Sequence, residues 1–314
     1  MGWLNIMRLL AAALLLALPA ASMAEGVLPL HANPALWRVQ NGTSTVYLFG
    51  SLHILPPGYH WTTPEIESAM NASDLFIFEV PVDEAALMDE KQFIIENGIL
   101  PSRQSLRGLL SANEFQTYSA VLRRAGLKPE QFERYRPWLA AVVVGLAYLH
   151  RDELVTLKGA DDDLITYARD HSRKSLYLES IRDQMELLTA GDDSGHLKSL
   201  KTLIATLPQA RSQERDLLQT WASGEAKRFT ALLEGYFKDR PEAKDFLIDR
   251  RNRNWLDTLK QSLERQNGTT MITVGAAHIG GENGLIALLC GEGYEVERVA
   301  ERDEASSKVC GAGT

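Results

Sequence analysis

The chain has 314 residues, 45% of them apolar, and a formal charge of −8. That is enough apolar material for a substantial core and enough length for one large domain or two small ones. A net acidic chain without a basic stretch argues against nucleic acid or an anionic membrane surface as partner.

The first segment reads as an export signal. Arg8 is the only charge before Glu25, and the run "LLAAALLLALPAA" falls short of the roughly 20 apolar residues of a membrane span. Ser22 and Ala24 fit the small positions before a signal-peptidase cut. The sequence predicts cleavage after Ala24, a periplasmic or secreted product, and no stable membrane anchor once the segment is removed. Loss of Arg8 with that segment takes the formal charge from −8 to −9. Residues 25–314 then form a single domain.

"ALWRVQNGTSTVYLFGSLH" predicts a β-hairpin turning at Asn41-Gly42. A Pro/Gly loop follows, then a short helix in "PEIESAMNAS" and a buried strand in "DLFIFEV" that ends in Glu79. From 83 to about 157 the apolar spacing of three and four predicts helices, including an apolar one opened by Pro137. "GADDDLITYARDHSRK" reads as a capped helix and "SLYLES" as a strand ending in Glu179. Residues 181–265 read almost wholly as amphipathic helix. The strand "MITVGAAH", the helix "GLIALLCGEG" and the strand "YEVERVA" close the chain. The expected fold is α/β (α+β), a mixed central sheet with two pseudo-symmetric halves and large helical insertions near 83–157 and 181–265. Its two cysteines, Cys290 and Cys310, predict a disulfide that closes a loop of about 20 residues and stabilises by roughly 3 kcal/mol.

Two of the seven histidines stand in one setting. "VYLFGSLHIL" and "MITVGAAHIG" are both apolar, β-branched runs ending in Gly, two small or apolar residues and His, at Gly50–His53 and Gly275–His278. In α/β sheets, residues at the carboxyl ends of strands gather at one rim, where sites are built. Four such ends here carry His53, Glu79, Glu179 and His278. A glycine before each histidine lets the backbone turn sharply or another group come close. Two imidazoles and one or two carboxylates are a reasonable set for a divalent metal with an open position, which would activate water. The same groups could instead act as a His general base with Glu acids or orienters. The residues alone leave both chemistries open. HExxH, GxSxG, P-loop and CxxC patterns are absent.

The chain resembles the TraB/PrgY/GumN family, which includes the Tiki membrane metalloproteases and many bacterial secreted proteins. The resemblance runs from about Pro34 to Val299. It is carried by "LWRVQNGTSTVYLFGSLHILPPG", "DLFIFEV", "YRPWLA", "GADDDLITYARDHSRKSLYLESIRDQ", "RRNRNW" and "VGAAHIGGENGLIALLCGEGYEVERV". More distant likeness reaches erythromycin-esterase-like and ChaN-like folds. The resemblance implies a metal-dependent, peptide-hydrolysing site. His53, His278 and Glu79 would hold a manganese, cobalt or zinc ion, and Glu79, Glu179 and Arg251 would serve catalysis. Gly50, Ser51, Asn252 and Gly275 would lie against those groups or the substrate.

Bland roles compete for several residues. Asp161, Asp162 and Asp163 read as first-turn acids capping a helix rather than as calcium ligands. Glu282 reads the same way, Trp255 as core packing, and His60 as an exposed loop residue. Three functions remain: a metal-dependent hydrolase acting on a peptide or other small secreted substrate, a non-catalytic protein that binds a secreted peptide or glycan, and a metal-free His/Glu hydrolase. Nothing in the sequence argues for a particular oligomeric state.

Overall fold

The structure is a computed structural model that describes residues 32–150, 158–238, 241–265, 267–299 and 307–310. The export signal expected over residues 1–24 lies outside the described residues. Strands β1 (Leu36–Asn41) and β2 (Ser44–Ser51) form the expected hairpin, with Asn41 opposite Ser44 across a two-residue turn. Helix α1 (Pro64–Ala72) leads into β3 (Leu75–Phe78). Then come α2 (Glu84–Asn97), α3 (Ala112–Arg124), α4 (Pro137–His150) and α5 (Ala160–Asp170), with short single turns at Leu106–Leu109 and Pro129–Phe132. Strand β4 (Lys174–Tyr177) is followed by α6 (Ile181–Leu188), α7 (Asp193–Ala222) and α8 (Ala226–Phe237). A turn at Pro241–Lys244 and a π turn at Asp245–Asp249 run into α9 (Arg250–Glu264). Strand β5 (Thr269–Gly275), a 3-10 turn (Ala276–His278), α10 (Leu285–Gly291), β6 (Val296–Arg298) and β7 (Ser307–Cys310) complete the described chain.

The seven strands form one mixed sheet in the order β4-β3-β5-β2-β1-β6-β7. β4, β3, β5 and β2 run parallel to one another, while β1, β6 and β7 continue the sheet antiparallel. Period-two alternation divides the sheet's side chains between two cores. Phe49, Phe76, Phe78 and Met271 face α1, α5, the end of α7 and α8. Val46, Leu48, Leu75, Ile77, Ile272 and Val274 face Trp255, Leu259 and Leu263 of α9 and Leu285 and Leu289 of α10. Each such Leu, Ile or Phe contributes about 1.5–3 kcal/mol by leaving water. The helical insertions form two further cores, one of α3, α4 and α7 and one of α2, α4 and α6 that includes Val80.

Side-chain oxygens start the helices as their sequences suggest. Thr63, Asp83, Ser111, Ser180 and Asp192 each accept from a backbone N–H of the first turn. The disulfide joins Cys290 of α10 to Cys310 of β7, with Cα atoms 6.0 Å apart. It fastens the edge strand to the helix behind the sheet. Among the described residues, no helix is long and apolar enough to cross a membrane.

Candidate functional site

The four parallel strands end side by side, so their order fixes the order of the residues beyond them: Glu179 after β4, Glu79 after β3, His278 after β5, His53 after β2. Ser51 pairs with Gly275 and Phe78 with Tyr177, which keeps the ends flush. Pairing continues past the strands, with Leu178 N–H donating to Phe78 O and Glu179 N–H to Glu79 O at 3.0 Å. The two motif glycines allow the close packing here. A Cβ on Gly50 would lie 2.9 Å from Ala276 Cα, and one on Gly275 would sit 3.2 Å from His53 Nε2 and 3.3 Å from Glu79 Oε1.

Arg251 stands at the centre of this rim and is 3% exposed. Its Nε donates to Glu179 at 3.1 and 3.2 Å, and Nη2 donates to Glu79 Oε2 at 2.6 Å and Glu179 Oε1 at 2.7 Å. Nη1 donates to Leu247 O and to His278 Nε2, both at 3.1 Å. All five N–H donors of the guanidinium are therefore used inside the protein. The π turn before α9 brings Leu247 O to the guanidinium, and Arg250 N–H closes that turn on Asp245 O. Trp255 lies in the core as its spacing suggests, under the guanidinium at 4.6 Å, and its Nε1 donates to Glu179 at 3.2 Å.

These contacts set the ionisation of the centre. Burial opposes the charge on Glu79, but Arg251, the two imidazoles and the Gly275 N–H outweigh it and hold the carboxyl far below its usual range. Burial pushes Glu179 up against the pull of Arg251, and the Glu79 charge adds to the rise. Burial also opposes the charge on Arg251, which the two carboxylates keep cationic. Burial and the Arg251 charge together lower His278 to about 3.

Asn252 fixes the tautomer of His278. Its Nδ2 donates to His278 O at 3.1 Å and Asn283 O at 2.8 Å, so its Oδ1 faces His278 Nδ1 at 2.7 Å. Nδ1 must carry the proton, and Nε2 is the acceptor for Arg251. His278 is thus neutral, buried, and held on both ring nitrogens.

His53 is placed differently. It is half-buried and lines a cavity of about 30 Å³ with Ser51, Phe78, Glu79, Gln184 and Thr273. Behind it, Nδ1 lies 3.3 Å from Asp161 Oδ2. The three consecutive acids at the start of α5 have three different tasks. Asp162 caps the helix by accepting from Gly159 N at 2.9 Å, and Asp163 accepts from Trp61 Nε1 at 2.9 Å. Asp161 is buried against His53. The helix start docks directly on the first motif: Ala160 N–H donates to Leu52 O at 2.9 Å, and a Cβ on Gly159 would lie 2.3 Å from that oxygen.

The structure thus brings together His53, His278, Glu79, Glu179 and Arg251, with Gly50, Ser51, Asn252 and Gly275 around them. His60 is exposed. The sequence reading missed three residues of the site. Asp161 was hidden in an acidic run whose members all suit a helix start. Gln184, which donates to Glu79 Oε2 at 3.3 Å, is one polar residue in an amphipathic helix. Thr273 is one β-branched residue in a strand.

The metal implied by the resemblance can be tested against these contacts. The donor types suit an ion, since both histidines turn Nδ1 to an outer partner and leave Nε2 facing inward. The arrangement does not suit one. The Arg251 guanidinium already meets His278 Nε2 and Glu79 Oε2, so an ion bound to them would abut a fixed positive charge. Among the described residues, no three His, Cys, Asp or Glu side chains come together as a metal-ligand group. As arranged, these residues do not fit a metal.

A mixed α/β sheet whose parallel strands deliver two GxxH motifs, two glutamates and a helix-borne Arg-Asn pair to one rim defines a class that comparison with known proteins makes specific. The TraB/PrgY/gumN family model matches residues 35–298, and the chain belongs to that family. It is similar to the uncharacterized protein YbaP of Escherichia coli (strain K12), 23% identical over 259 residues that cover 82% of this chain and 92% of the relative. The YbaP protein of Shigella flexneri matches with the same identity and coverage. No solved structure matches.

Proposed function

We propose that the protein is a hydrolase of acyl bonds, peptide or ester, in which His53 is the general base and no divalent ion takes part. The observation that carries this reading is the setting of His53: a carboxylate behind Nδ1, a cavity beside the ring, and the ionised Glu79 across it. An Asp at Nδ1 favours the tautomer with a free lone pair on Nε2, and it stabilises the imidazolium that forms. His53 Nε2 takes a proton from water as the water oxygen bonds to the acyl carbon. That proton then passes to the departing nitrogen or oxygen as its bond to the acyl carbon breaks. Glu79 adds a second negative charge near the imidazolium, and Arg251 keeps Glu79 ionised and in place.

Acid/base catalysis is favoured over the metal-dependent alternative because Arg251 bonds His278 Nε2 and Glu79 Oε2 and so sets a fixed positive charge where an ion would bind. The export signal expected from the sequence and the disulfide, which belongs to oxidising compartments, support a periplasmic or secreted site of action on a small secreted substrate. Sequencing the amino terminus of the mature protein tests the address, with Glu25 the expected first residue.

The activity is tested by assaying a panel of unstructured peptides and p-nitrophenyl esters with wild type and His53→Ala, before and after exhaustive chelation. Turnover that survives chelation and is lost in His53→Ala is the expected result. Turnover lost on chelation and restored by manganese, cobalt or zinc would establish the metal-dependent chemistry instead. Stoichiometric binding without turnover would favour a binding protein.

A further inference from the structure

Thr273 lies on β5, on the same sheet face as Phe78 and Ser51, and helps to wall the cavity beside His53. It is 2% exposed, and its hydroxyl is among the buried side-chain atoms that have no hydrogen-bond partner among the described residues. The neighbouring hydroxyl of Ser51 donates to Val274 O at 3.3 Å. A strand position flanked by Phe49 and Phe78 would take valine with equal volume and without a buried hydroxyl to satisfy. The cavity, at about 30 Å³, has room for an ordered water.

We infer that Thr273 is a positioning residue that seats the attacking water beside His53. Its hydroxyl accepts one hydrogen of the water, the other points to His53 Nε2, and the oxygen lone pair is left facing the acyl carbon above the cavity. The effect on rate rests on the hydrolase reading, but the water seat itself does not.

Two variants test this, Thr273→Val and Thr273→Ser. High-resolution crystal structures should show an ordered water within about 3.2 Å of both the residue-273 hydroxyl and His53 Nε2 in wild type and Thr273→Ser, and none there in Thr273→Val. With p-nitrophenyl acetate as probe, Thr273→Val should lower kcat by about 10–100-fold with KM unchanged, and Thr273→Ser should restore most of it. The Tm of Thr273→Val should equal or exceed that of wild type, because the valine removes a buried hydroxyl. A merely structural threonine would move neither kcat nor the water. The inference is overturned if wild type holds no water at the hydroxyl, if the water persists in Thr273→Val, or if that variant keeps full kcat. A wild type that hydrolyses nothing removes the hydrolase reading, and the crystallographic comparison still decides the water seat.

Discussion

His53, at the end of β2, is half-buried, lines a cavity and has Asp161 behind one ring nitrogen, whereas His278, at the end of β5, is 3% exposed and held on both nitrogens. The two histidines close motifs of the same length on adjacent parallel strands. What separates them is what packs on each motif. Helix α5 meets the first motif end-on and brings a carboxylate with it. Helix α9 lies across the second and brings a guanidinium, an amide and the Trp255 ring, 4.5 Å from the imidazole. A duplicated motif therefore does not imply a duplicated task. On the proposed reading the first histidine exchanges a proton with water, and the second is a fixed part of the scaffold around Arg251.

The largest expected effect tests that division directly. If His53 is the general base, His53→Ala should cut turnover by about 10²- to 10⁴-fold while leaving Tm within a few degrees of wild type, since a half-buried base acts on the barrier rather than in the core. His278→Ala should do the reverse in emphasis. It opens a cavity and strips Arg251 and Asn252 of a partner each, for a loss of about 2–4 kcal/mol of stability. Paired kinetics and urea unfolding separate the two. Equal stability losses in both variants would mean that the histidines share one role.

Arg251 comes next. Arg251→Met leaves Glu79 and Glu179 buried without their cation, and removal of one partner from a buried ion cluster costs about 3–5 kcal/mol. For a chain of this size that is on the order of 10 °C in Tm. Arg251→Lys should recover little, because a single ammonium cannot bond two carboxylates, a carbonyl and an imidazole through a planar fork. A lysine variant with wild-type Tm would show that charge alone, and not the geometry of five donors, holds the rim together.

A smaller loss is expected where α5 meets the first motif. In Gly159→Ala the new Cβ would fall 2.3 Å from Leu52 O and 2.5 Å from both His53 Cα and Asp161 Oδ1. The helix must back away, at about 1–3 kcal/mol, and Asp161 moves off His53. Turnover should therefore fall in Gly159→Ala and in Asp161→Asn alike, with only the former losing appreciable stability in thermal unfolding. Full activity in Asp161→Asn would detach the carboxylate from the mechanism.

Much of this architecture was written in local patterns. The alternation in "TVYLFGS" and "MITVGA" places Leu48 and Phe49 on opposite faces, and the helix starts at Thr63, Asp83, Ser111 and Ser180 carry their own caps. The four strand-end residues were legible because a strand-like run that closes on Glu or His is conspicuous. The remaining site residues depend on tertiary placement. Asp161, Asp162 and Asp163 are equivalent as a string, and only the angle at which α5 docks on Leu52 decides which of them reaches His53. The seventh strand, Ser307–Cys310, has a polar sequence and exists as an edge paired to β6 and fastened by the disulfide. β4 reads as one more apolar strand, yet it is the opposite edge of the sheet and leaves Leu176 and Tyr177 exposed.

The finest distinction between the two histidines is electrostatic and shows in the pH dependence of stability. Burial and the Arg251 charge lower His278 from 6.5 to about 3. The unfolded chain takes up a proton at this side chain below about pH 6.5, and the folded chain does so only near pH 3. The unfolded state therefore binds more protons across that window, and stability falls as the pH falls through it, by up to about 1.4 kcal/mol per pH unit. Glu179, raised by burial, works in the opposite sense near the acid end, where the folded state takes up its proton first. The difference between wild type and His278→Gln isolates the imidazole from that background. Between pH 4 and 6.5 the variant should show the shallower decline in unfolding free energy, measured by urea titration at each pH. Parallel declines would mean that His278 titrates in the folded protein as it does in the open chain, and that Arg251 and Asn252 do not lock it neutral.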